Sequence, residues 1–113
     1  MERNKNYSLE ILDMVQSQDD KKELLTTFIS ESESCIKALY EEIEDQNLKQ
    51  ISFYIHKLKT NLKLFKIREL YKTIGILEIK IESLSMLEIK ELVNKINDVF
   101  SSVKRDIEES ISL

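Results

Sequence analysis

The chain has 113 residues, 34% of them charged and 42% hydrophobic, and a formal net charge of −4. That length supports one domain around one core, read here as spanning 1–113, and the composition lies outside the disordered range. With no proline and a single glycine, Gly75, it lacks the turn residues that sheets and hairpins need, so the chain is read as all-α. No apolar run reaches the ~18 residues that span a bilayer, and the opening MERNKNYSLE has no signal-peptide core. A cytoplasmic protein with no membrane partner is expected. The lone Cys35 cannot close an internal disulfide and reads as a small core hydrophobe.

The apolar period divides the chain into one short and four long helices. A short leading helix is expected over Ser8–Gln16, with Leu9 and Leu12 toward the body. Ser17 or Asp19 then caps a long helix whose inward stripe is Leu25, Phe28, Ser32, Ile36, Leu39 and Ile43. Asp45-Gln46-Asn47 makes a tight turn. The next stripe, Leu48, Ile51, Ile55, Leu58, Leu62 and Phe65, alternates threes and fours as a bundle seam does. Ile67, Leu70, Ile74, Leu77, Ile81 and Leu84 repeat that spacing. The pattern breaks between Ser83 and Met86. Ile89, Leu92, Ile96, Val99, Val103 and Ile107 mark the last helix, expected to fray after Glu109. Short connections make neighbouring helices antiparallel. The expected architecture is therefore an antiparallel up-down four-helix bundle, its body at about 18–110, with a short N-terminal cap helix.

Charge is unevenly spread. Residues 1–55 carry 6 Lys/Arg against 12 Asp/Glu, and residues 73–113 carry 5 against 8. Between them, residues 56–72 carry Lys57, Lys59, Lys63, Lys66, Arg68 and Lys72 against Glu69 alone. A basic segment on an acidic chain attracts an anion or an acidic protein surface. An acidic chain without a basic stripe of several turns is not expected to bind nucleic acid.

That segment opens at His56, the only histidine. At about 100° per residue, His56 lies about 130° from the inward seam of its helix and faces water. Ser52, Lys59 and Lys63 fall on its shoulders, and Thr60 stacks one turn on. Phe53 and Leu64 point outward on the same side, where a bundle alone has no use for them; they read as an apolar docking rim. Lys57 adds charge to it. The chain has no Gly-rich phosphate loop. One His and one Cys do not make a zinc site, so no metal and no cofactor of its own are expected.

His56-Lys57-Leu58-Lys59, followed by a turn and a helix closing on Leu77-Glu78, resembles the histidine-containing phosphotransfer (HPt) family. The family motif runs H-x-L-K-G, a short spacer to a second glycine, then a helix ending in Leu-Glu. This chain reads HKLKTNLKLFKIRELYKTIGILE, with Leu70 and Leu77-Glu78 at matching positions. The upstream LLTTFISESESCIKALYEEIEDQNLKQISFYIHKLK resembles the family's long helix, acidic turn and entry into the histidine helix. The likeness covers roughly residues 10–110.

The resemblance implies that His56 accepts a phosphoryl group from an aspartyl phosphate on a response-regulator receiver domain and passes it to another. Lys59 would neutralise the phosphoryl oxygens, with Lys63 a weaker contributor, and Ser52, Phe53, Lys57, Lys63 and Leu64 would meet the partner. An imidazole nitrogen is nucleophilic in its neutral form. The implied partners are receiver domains and a hybrid sensor histidine kinase; Mg²⁺ would belong to the receiver. The chain would be a monomeric phosphoryl carrier without autokinase activity. Two positions depart from the family. Its first glycine is Thr60, whose methyl narrows the approach or whose hydroxyl hydrogen-bonds the phosphoryl group. Its second glycine is Lys66, which alters the turn. The alternative implied by Thr60 is an HPt-like module that docks a receiver without carrying phosphate.

Overall fold

The computed structural model describes the backbone of residues 17–63 and 68–111 and side chains as far as Glu109. The expected cap helix, Leu64, Phe65, Lys66 and Ile67 lie outside the described residues. Among the described residues four α-helices form: α1 (Gln18–Glu44), α2 (Leu48–Lys63), α3 (Arg68–Lys80) and α4 (Met86–Ile111). A single 3₁₀ turn, Ile81–Ser83, follows α3. At 1.5 Å per residue α1 is about 40 Å long, which accounts for the 44 × 23 × 20 Å envelope.

Polar residues set the helix ends. Ser17, in extended backbone, accepts a hydrogen bond from the Asp20 N–H at 3.0 Å, and Asp19 and Asp20 occupy the first turn of α1. Both features favour a helix N-terminus. At the other end, Gln46 takes a φ of 53°. Its N–H donates to the Ile43 carbonyl and that of Asn47 to Glu42, each at 3.0 Å. This is a Schellman closure, made without the usual glycine at a cost of about 1 kcal/mol. Asn47 then caps α2 by accepting from the Gln50 N–H at 3.2 Å. Before α4, Ser85 and Glu88 form a reciprocal capping box, with bonds of 3.1 and 3.0 Å. Those bonds hold the Glu88 carboxyl below its ordinary range.

Each helix lies antiparallel to the next, and α4 closes the ring against α1. Cross-helix pairs fix the register: Asn61 with Ser32, Lys59 with Glu78, and Lys104 with Glu33. The expected stripe of α1 is buried in full, joined by Ile29 and Cys35. On α2, Ile51, Ile55, Leu58 and Leu62 are fully buried, each such side chain contributing about 1.5–3 kcal/mol by leaving water. Ser32 is buried but satisfied by the Asn61 amide, which also donates to the Phe28 carbonyl at 3.3 Å.

The expected phase of α4 needs correction. Val93 and Phe100 are buried, while Leu92 and Val99 are only half-buried. Both adjacent pairs are apolar, so the sequence period admits either choice. Burying the larger Phe100 wins, because its ring packs edge-on against Phe28 with centroids 6.2 Å apart. The last helix also continues past the expected fraying point to Ile111. On α3, the helix stops at Lys80 and the 3₁₀ turn carries Ile81 into the core. Gly75 sits mid-helix with no positive φ, a placement that costs about 0.5–1 kcal/mol relative to alanine.

Candidate functional site at the α2–α3 seam

His56 lies in the middle of α2, opposite its buried seam, with 75% of its side chain exposed. Its Nδ1 is 3.3 Å from Glu78 Oε2 on α3. The other oxygen of that carboxylate accepts a hydrogen bond from Lys59 Nζ at 2.7 Å. Lys59 Nζ also stands 5.2 Å from the centroid of the Tyr71 ring, a cation–π distance. Helical geometry explains the grouping. Lys59 is about 70° from the seam centre of α2, at the border with α3, and Tyr71 and Glu78 are two turns apart on the facing edge of α3.

The carboxylate is shared. The Lys59 hydrogen bond holds the Glu78 carboxyl below its ordinary range; its partial burial opposes this, and His56 adds a smaller pull downward. The same contact holds the Lys59 ammonium above its ordinary value. An imidazole with its proton on Nδ1 donates that proton to Glu78. Nε2 is then left with its lone pair directed outward, so the carboxylate selects both ring orientation and tautomer.

The opposite shoulder of His56 borders a groove of about 770 Å³ between α1 and α2, lined by Glu31, Cys35, Ser52, Phe53, Lys57, Thr60 and Asn61 among others. Phe53 is 56% exposed and stacks edge-on with Tyr54, centroids 5.1 Å apart. The Thr60 hydroxyl donates back to the His56 carbonyl at 3.1 Å, so its single proton is already engaged. Cys35 forms part of the floor, and burial pushes its thiol up, which keeps it in the inert thiol form.

The expected site residues therefore separate. Lys59 belongs to the α3 side, and Ser52, Phe53, Lys57 and Thr60 to the α1 side. Lys63 is exposed in the last turn of α2, away from the groove lining. Leu64 lies outside the described residues. Among the described residues, no cluster of three His, Cys, Asp or Glu is placed to hold a metal ion, and no helix is long and apolar enough to cross a membrane.

No family model, curated protein or solved structure matches this chain.

Two members of the site escape a reading of α2 alone. Glu78 and Tyr71 belong to the next helix and reach His56 and Lys59 only through the register of the hairpin. A signal was available for Glu78. It adjoins Leu77 on the core stripe of α3, so an antiparallel hairpin centred near residue 67 carries it to the level of His56.

Proposed function

We propose that this chain is a histidine phosphotransfer domain of a phosphorelay, carrying a phosphoryl group on His56 between aspartates of receiver domains in the cytoplasm. The observation that supports it most directly is the trio of His56, Glu78 and Lys59: an exposed imidazole whose Nδ1 is held by a carboxylate that is itself held by an ammonium. In the forward step the Nε2 lone pair attacks phosphorus. A nitrogen–phosphorus bond forms, the acyl phosphate oxygen–phosphorus bond breaks, and the receiver's aspartate leaves as a carboxylate. The ring gains positive charge as it is phosphorylated, and Glu78 at Nδ1 offsets it. Lys59, bound to the same carboxylate, is the ammonium that would balance charge on the phosphoryl oxygens. The second transfer runs the same steps in reverse toward another aspartate. Phosphoryl transfer asks mainly for positioning and charge compensation, so the domain itself needs no nucleotide; Mg²⁺ would sit with the receiver's aspartate.

A second reading, a receiver-docking module that carries no phosphate, draws support from Thr60 in the groove beside His56. One assay divides the two. The protein is incubated with phosphorylated receiver domains and examined for acid-labile, base-stable label. Label on the wild type that vanishes in His56→Gln is expected. Receiver binding without label would overturn the carrier reading and favour the docking module.

A further inference from the structure

Tyr71 is placed unlike the tyrosines of α1 and α2. Tyr40 and Tyr54 pack against the hydrophobic core, whereas Tyr71 is exposed, at 37%. Its ring is turned to Lys59, whose Nζ stands 5.2 Å from the ring centroid. Ion pairing alone does not ask for that contact. Lys104 holds Glu33 at the same 2.7 Å at which Lys59 holds Glu78, and among the described residues no ring stands over Lys104.

A ring suits an ammonium that must be held and still remain available. The long lysine stem is flexible, and pairing with a single carboxylate near the surface restrains it only weakly. A second carboxylate would restrain Lys59 further but would neutralise it as well. A ring face attracts the cation without carrying a net charge. The ammonium has three N–H donors. Glu78 accepts from one of them and the ring face engages at most one more, so at least one donor is left over. Lys59 is thereby held from two sides of α3, one turn beyond His56 on α2.

We infer that Tyr71 is a positioning residue, whose ring acts through Lys59 by fixing the ammonium that balances phosphoryl charge at His56. The inference rests on the phosphotransfer reading. Tyr71 touches no reacting atom; it limits the directions that Lys59 can take. Its effect therefore depends on the ring face and on the presence of Lys59, and not on the source of the phosphoryl group.

The test measures single-turnover labelling, per folded molecule, of full-length wild type, Tyr71→Phe, Tyr71→Leu, Lys59→Met and the double variant Lys59→Met/Tyr71→Leu. Two donors are used. One is the phosphorylated receiver that labels wild type fastest; the other is phosphoramidate, a small donor whose leaving group is ammonia. Tyr71→Leu is expected to slow labelling about two- to fivefold with both donors, the size of an exposed cation–π contact. Tyr71→Phe keeps the ring and is expected to restore the wild-type rate. On the Lys59→Met background, Tyr71→Leu is expected to add no further loss, because the ring then has no ammonium to hold. The contact is also read without phosphate: the Lys59 ε-methylene protons should resonate upfield in wild type and Tyr71→Phe, and at their ordinary position in Tyr71→Leu. Wild-type labelling by Tyr71→Leu overturns the inference. So does an equal loss in Tyr71→Phe, which would assign the effect to the hydroxyl. An equal loss on the Lys59→Met background overturns it as well, since the role would then be structural. A loss confined to the receiver makes Tyr71 a docking contact and sinks the positioning role. If wild type takes no label from any receiver, the carrier reading fails and the inference goes with it.

Discussion

Two seams of the bundle carry nearly the same ion pair and differ in everything around it. Between α2 and α3, Lys59 meets Glu78 at 2.7 Å; between α1 and α4, Lys104 meets Glu33 at 2.7 Å. The two lysines are alike in exposure, at 30% and 31%, and each is held above its ordinary value chiefly by the hydrogen bond it donates to its glutamate. The α1–α4 seam adds a Tyr40–Asn94 hydrogen bond and borders a groove of about 650 Å³. Both of these polar contacts fasten α1 to α4. At the α2–α3 seam the second carboxylate oxygen is turned to an imidazole and the lysine lies beside an aromatic ring. A lysine–glutamate pair across two helices is thus not by itself a sign of chemistry. What sets the α2–α3 pair apart is the third group on its carboxylate, His56.

That contrast can be broken at several points. Phe100→Ala, in the α1–α4 seam, is expected to lower stability by about 3–5 kcal/mol while leaving phosphoryl transfer per folded molecule unchanged; denaturant titration and labelling of the folded fraction check both halves. If transfer falls with stability left intact, the two seams are not functionally separate. Glu78→Ala should slow transfer to His56 about tenfold, equal to about 1.4 kcal/mol of barrier, because Nδ1 loses its acceptor. Glu33→Ala should not change it. Single-turnover labelling of the two variants side by side would equate the seams if they slowed alike.

Acid sharpens the comparison further. The folded value of Glu78 is depressed, so its contribution to stability is present above the unfolded carboxylate value and is lost as pH falls through the folded one. The folded value of Lys59 is raised, so its contribution is complete below the unfolded lysine value and lost only as pH rises through the folded one. The pair is therefore intact across neutral pH and fails first on the acid side. A Lys59→Ala/Glu78→Ala double-mutant cycle should show coupling at neutral pH that fades as the pH falls below the ordinary carboxylate range. The smallest effect lies away from both seams. Gln46→Gly should stabilise the fold by about 0.5 kcal/mol, by relieving the left-handed backbone, with no change in transfer; a lower melting temperature would contradict the Schellman closure at the α1–α2 turn.

The sequence by itself determined the four long helices, the inward faces of α1 and α2, and the outward direction of His56. These follow from the 3.6-residue period, which each helix carries in its own apolar spacing. Ser17 was legible as one of two candidate caps, with Asp19, since a cap bonds within its own first turn; Asn47 was legible only as part of the turn whose end it caps. The tertiary structure alone decided three other things. It chose Val93 and Phe100 over Leu92 and Val99, because two adjacent apolar residues leave the phase of α4 open until Phe28 is in place. It committed the Lys59 ammonium to Glu78 and Tyr71 rather than to water. And it brought Glu78 to His56 across 22 residues of chain, a contact set by the rotation and register of a second helix. The period within one helix contains neither.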